Sequence, residues 1–192
     1  MSRRINWLGL AAGITTLIML AVSISSPWWQ LTIGENLVKI NASPVYTNFG
    51  LLGAQFTIPV IWALNLITIL TFTACGVVML IYSLVPTKPY AKQLLGFSYR
   101  KPLYTVVSFA AILIIIVLIA GHFGLNLPFN GSATVTLPES WTRGATVSAL
   151  VSGSFELSFW IAIVAAGLCM TARLFHGYFA KIPAATTKPQ NT

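Results

Sequence analysis

Aspartate is absent from the chain, and glutamate occurs three times, as Glu35, Glu139 and Glu156. Charged residues of both signs amount to 7%, where a soluble domain carries about a quarter to stay hydrated. With 56% apolar residues over 192 positions and a mean hydropathy of +0.82, the chain reads as an integral membrane protein. The net charge of +8 does not point to nucleic acid, because the Lys and Arg residues flank apolar spans instead of clustering on a solvated domain. Cysteine is scarce too. Cys75 and Cys169 both lie inside apolar runs, so no disulfide is available to the loops between them. The two histidines, His122 and His176, are expected near opposite membrane faces, which leaves a metal site without converging ligands. No CxxC, HExxH or nucleophile elbow occurs, and no Ser or Thr falls with a His and an acid at helical spacing. No catalytic, cofactor or metal residue is therefore expected, nor enzymatic activity.

What is present is a set of four long apolar runs. The first, about 5–26, follows a short basic start and at 1.5 Å per residue reaches roughly 33 Å, enough to cross a bilayer. A cleaved signal peptide is the competing reading, since Arg3 and Arg4 make an n-region and Ala21-Val22-Ser23 a passable cleavage site; the length of the apolar run favours a retained helix. The further spans fall at about 57–85, 103–124 and 158–179. The second opens with Pro59 in its first turn, where a missing amide proton costs least. The third is so uniformly apolar that no face is distinguished, so part of it should meet lipid.

Between the second and third spans lies the connector 86–102, PTKPYAKQLLGFSYRKP, which carries Lys88, Lys92, Arg100 and Lys101. Short loops rich in Lys and Arg stay cytoplasmic during insertion, so these four residues set the topology. Both termini then face the cytoplasm of a multi-pass cell-membrane protein, with only Lys39 and Arg143 among the cations outside, and all three acids outside. Within the connector, Pro89 to Phe97 is expected to make one or two interfacial turns, with Tyr90, Leu94, Leu95 and Phe97 inward. Residues 1–182 thus form one transmembrane domain, and 183–192 have the composition of a disordered cytoplasmic tail.

The two outward loops, 27–56 and 125–157, are about thirty residues each and partly β. Gln30–Ile33 and Leu37–Ile40 around Gly34-Glu35-Asn36 predict a hairpin, which alone is marginal in water and needs either the second loop or another protein as partner. Ala133–Leu137 predicts a further strand, while 145–154 fits either loop or the start of the last helix. Trp28, Trp29 and Trp160 are expected as interfacial anchors in the headgroup layer.

Asn41-Ala-Ser43 and Asn130-Gly-Ser132 match the N-glycosylation pattern and fall in the outward loops, Asn130 being the better acceptor because Pro44 follows the first site. Gly9 and Gly13, and Ala162, Ala166 and Gly167, are small residues at one-turn spacing that let helices approach closely, within the bundle or between copies. Asn65 and His122 are the intramembrane polar residues: Asn65 reads as an interhelical hydrogen-bonding group and His122 as interfacial, with a pore or relay as the alternative.

The four spans, two outward loops and inward termini, with Trp28-Trp29 and then Phe49-Gly50-Leu51-Leu52 in the first loop, resemble the layout of claudins and related tetraspan proteins. Claudins carry a cysteine pair in that loop, which this chain lacks. The expected fold is an all-α membrane protein, a four-transmembrane-helix bundle with a small, partly β cap. The expected role is a non-catalytic subunit of a larger membrane or cell-envelope assembly, surrounded by the lipid bilayer and contacting other membrane subunits or further copies of itself. A homo-oligomeric channel or transporter for a small solute is the alternative, and claudin-like adhesion or membrane organisation the third reading.

Overall fold

The computed structural model describes residues 5–34, 37–136 and 148–180. Four helices among them are long and apolar enough to cross a membrane: α1 (Trp7–Ser25), α2 (Pro59–Leu84), α3 (Ala91–His122) and α4 (Leu157–Leu174). A short fifth, α5 (His176–Ala180), follows α4 after a break at Phe175. The last span therefore ends as a continuous helix about one turn earlier than the expected 179. α1 packs on α2 and α4, and α3 packs on the same two, so the four helices form a ring.

The connector differs most from expectation. Instead of a loop with an interfacial turn, Ala91 onward is helix and runs without interruption into the third span. Its local sequence explains why: Ala91, Leu95, Ser98 and Pro102 recur at one-turn spacing and are buried, giving these turns a packed stripe against the bundle. Tyr90 and Phe97, expected inward, are exposed. The helix also passes through Pro102, whose ring normally breaks a helix interior at a cost of about 3 kcal/mol. With 32 residues α3 is roughly 48 Å long, well beyond the ~30 Å of a hydrocarbon core.

The loops build one six-stranded antiparallel sheet. The first supplies β1 (Trp29–Ile33), β2 (Val38–Ala42), β3 (Asn48–Leu51) and β4 (Ala54–Phe56); the second supplies β5 (Gly131–Thr136) and β6 (Ser148–Phe155). The expected hairpin is β1–β2, paired from Trp29 with Ala42 to Ile33 with Val38. Its partner on the other side is β6, with Trp29 opposite Phe155, giving the order β4-β3-β2-β1-β6-β5. The ambiguous segment before the last helix is thus strand from Ser148 on. The β3–β4 hairpin has no counterpart in the sequence-based expectation; its two-residue turn holds Leu52 at φ 51° and Gly53 at φ 84°, the left-handed pair that such tight hairpins require.

Three apolar clusters form the core, and two of them tie cap to bundle. At the junction, Trp28 is fully buried among Met19, Phe72, Val45 and Phe159, with its ring 5.2 Å from that of Phe109 in an edge-on arrangement. Within the cap, Trp29, Leu31, Val135 and Val151 pack on Leu113 of α3. Trp28 and Trp29 are therefore core residues and not headgroup anchors. Each indole N–H finds a partner inside the protein: Trp28 Nε1 donates to Ser23 Oγ and Trp29 Nε1 to the Phe129 carbonyl, both at 2.9 Å. Trp160 alone of the three keeps an exposed ring. At the far end of the bundle, Ala12, Met79, Tyr82, Ala91, Leu95 and Cys169 form the third cluster.

Candidate functional site: the cap and the connector end

Alternation along the strands gives the sheet two unlike faces. Gln30, Thr32, Lys39, Ser152 and Ser154 share one face, and Trp29, Leu31, Ile40, Phe49, Val151 and Phe155 the other. The apolar face curls over the end of α3 at β1, β6 and β5, where Phe109, Leu113, Leu125 and Leu127 cover it. At β3–β4 that cover runs out. Leu51 and Phe56 remain half exposed, Phe49 and Phe56 stack on each other with centroids 5.8 Å apart, and Leu52 in the turn is 76% exposed. Leu52 N donates to the Leu37 carbonyl at 2.8 Å, and the Leu37 side chain is exposed as well. β4 is an edge strand, and all three of its residues are exposed.

The polar residues singled out from sequence have mostly structural surroundings. The Asn65 amide, oriented so that both its atoms are satisfied, donates to the Pro44 carbonyl at 3.3 Å and accepts from Thr47 N at 3.0 Å. It pins the β2–β3 loop to α2, in place of the interhelical bond expected. His122 is exposed in the last turn of α3, its ring edge-on to Phe123. Asn41 is buried, 6% exposed, and its Nδ2 donates to Asn48 Oδ1 at 2.7 Å, so the folded cap leaves no room for a glycan there. Asn130 is exposed just before β5.

Of the small residues, Gly9 and Gly13 lie against α2: a Cβ on Gly9 would meet the Tyr82 ring at 3.1 Å, and one on Gly13 would come within 2.7 Å of Leu80 and 3.1 Å of the Gly76 carbonyl. Gly76, opposite, supplies the matching gap. Ala162 and Ala166 are buried, as is Ala165 between them. Gly167 is not part of this packing; it is exposed, and a methyl group there would point into open space.

At the connector end a polar chain crosses the bundle. Asn6 caps α1, its Oδ1 accepting from Gly9 N at 3.0 Å, while its Nδ2 donates to the Tyr82 hydroxyl at 2.8 Å. That hydroxyl lies 2.9 Å from His176 Nδ1. Having accepted from Asn6, it can donate to Nδ1, which leaves the imidazole proton on Nε2. Partial burial, then the charges of Arg173 and Lys92, hold the imidazole below its ordinary value of 6.5. Lys88, Lys92, Arg100 and Lys101 are all exposed. Asn6 is absent from the residues singled out by sequence, although an Asn directly before an apolar helix is an N-cap signal.

Comparison with known proteins adds no assignment. No family model matches this chain, and no curated protein matches it. Among the described residues, no three His, Cys, Asp or Glu side chains come together. Arg3, Arg4, Glu35, Glu139, Arg143, the segment 137–147 and the tail 183–192 lie outside the described residues.

Proposed function

We propose that the chain is a non-catalytic subunit of a larger membrane or cell-envelope assembly, resident in the cell membrane with both termini cytoplasmic and its cap outside. One observation carries this reading. The apolar face of the cap sheet continues past its cover on α3, so that Leu51 and Phe56 meet water in the isolated chain. Contiguous exposed apolar groups on a solvent-facing layer mark a surface that another protein covers. Exposed side chains on α2 and α3, such as Leu64, Ile67, Ile115 and Leu118, suit lipid or a neighbouring helix equally. The open β4 edge adds unpaired backbone groups beside the patch.

The channel alternative rested on Asn65 and His122, and the Asn65 amide is already engaged by Pro44 and Thr47. The assembly reading is tested by measuring the mass of the complex extracted in native lipid. The wild type should run as a discrete assembly heavier than one chain, and Phe56→Asp, which puts a charge at the patch, should shift it towards the single chain. A wild type that is already a lone chain in native lipid would rule the reading out.

A further inference from the structure

Near the connector end, two guanidinium groups converge on one phenol. Arg100 Cζ lies 5.8 Å and Arg173 Cζ 6.0 Å from the centroid of the Tyr99 ring, and Arg100 Nε donates to the Tyr99 hydroxyl at 3.3 Å. Arg173 comes from the last turn of α4 and Tyr99 from α3, so the group bridges two helices. Lys92 is seven residues before Tyr99 on α3, which brings it to within about 20° of the same side, two turns away. It joins Arg173 in the field felt by His176.

Like charges gathered this way repel each other unless an anion lies among them. Among the described residues the one side-chain carboxylate is that of Glu156, directly before α4 at the cap end, so none of them supplies the anion. Cation–π contact with Tyr99 offsets part of the repulsion without neutralising either charge. Arginine forks and a nearby ammonium at the end of a helix bundle match the oxygens of a phosphate group.

We propose that Lys92, Tyr99, Arg100 and Arg173 form a binding site between α3 and α4 for the phosphate of a net-anionic molecule, such as an anionic phospholipid headgroup, and not for that of phosphatidylcholine, whose own choline cation neutralises it. This site is separate from the apolar patch of the cap and does not depend on it.

The test uses the full chain in nanodiscs of phosphatidylcholine alone or mixed with phosphatidylglycerol, read by melting midpoint and by lipid retained in native mass spectrometry. Phosphatidylglycerol should raise the wild-type midpoint and be retained. The double variant Arg100→Gln, Arg173→Gln should lose the rise and bind about twenty-fivefold more weakly, roughly fivefold for each cation removed. Lys101→Gln removes the same kind of charge from a position about 200° around α3 from Tyr99 and should keep the response. In phosphatidylcholine alone the double variant should melt no lower than the wild type, because it sheds a repulsion. A lower midpoint there would make the arginines structural and overturn the proposal. Inorganic phosphate added to phosphatidylcholine discs distinguishes the sources: a rise in the wild type that the double variant lacks assigns the site to a soluble phosphate. Equal responses of wild type, double variant and Lys101→Gln, or no response to either anion, would overturn the site.

Discussion

Tyr82 shows how much a single side chain organises at the connector end. It is fully buried, takes a hydrogen bond from Asn6 at the start of α1, faces His176 after α4, and fills the space opposite Gly9. A tyrosine near the end of a span is ordinarily interfacial. The same reasoning misplaces Trp28 and Trp29. An indole behaves as an anchor only while water or headgroups are the best partners for its N–H, and Ser23 and Phe129 supply internal ones. The His176 environment yields a pH prediction. Its folded pKa lies below the ordinary 6.5, so on acidification the unfolded chain takes up the proton first. The stabilising contribution is complete above about pH 6.5 and is lost as pH falls through the depressed folded value. Between about pH 7 and pH 5 the wild type should therefore lose more thermal stability than His176→Gln, which keeps an acceptor for Tyr82 but does not titrate. Equal losses in the two proteins would refute this environment for the imidazole.

Elements were legible where a single period dominates. Four long apolar runs gave four helices, and alternation around Gly34 gave β1–β2 in the expected place. β6 was not legible, since Ala149, Ser152, Gly153 and Ser154 carry too little apolar contrast to separate strand from helix; pairing with β1 decides it. The connector failed as a loop for the opposite reason, because helix formers and a buried stripe outweigh Gly96 and Pro102. Gly153 makes the β6 assignment testable. A Cβ there would collide with the Pro128 carbonyl, where the chain crosses the apolar face of the sheet, and backbone cannot move aside cheaply. Gly153→Ala should cost about 1–3 kcal/mol in cap stability, seen as earlier proteolysis or a lower melting midpoint. Gly167→Ala, pointing into open space on α4, should be neutral or stabilising by up to about 1 kcal/mol. If the two substitutions behave alike, the register of β6 or the facing of α4 is different from that described.

At the scale of the whole molecule, the two loops are parts of one sheet, and that sheet is longer than the helix end beneath it. Sequence alone could not show this, because the pairing of β1 with β6 joins segments over a hundred residues apart, and neither strand carries a mark of its partner. The proposed orientation rests on the charge bias and is open to a direct check. When the chain is inserted into glycosylation-competent microsomes, Asn130 should accept a glycan while Asn41, buried and bonded to Asn48, should not persist as a glycosylated folded form. Protection of Asn130 together with labelling of Lys88 from the lumenal side would reverse the assignment.

The most direct measurement of the assembly account is photo-crosslinking in intact cells, with the reactive residue placed at Phe56 or Leu51 on the uncovered apolar face, or at Ser152 on the polar face. The account predicts that positions 56 and 51 join the chain to one protein species of constant mass, whether a second copy or a different subunit, while position 152 does not. Crosslinks only to lipid and solvent from positions 56 and 51, or the same products from all three positions, would contradict it.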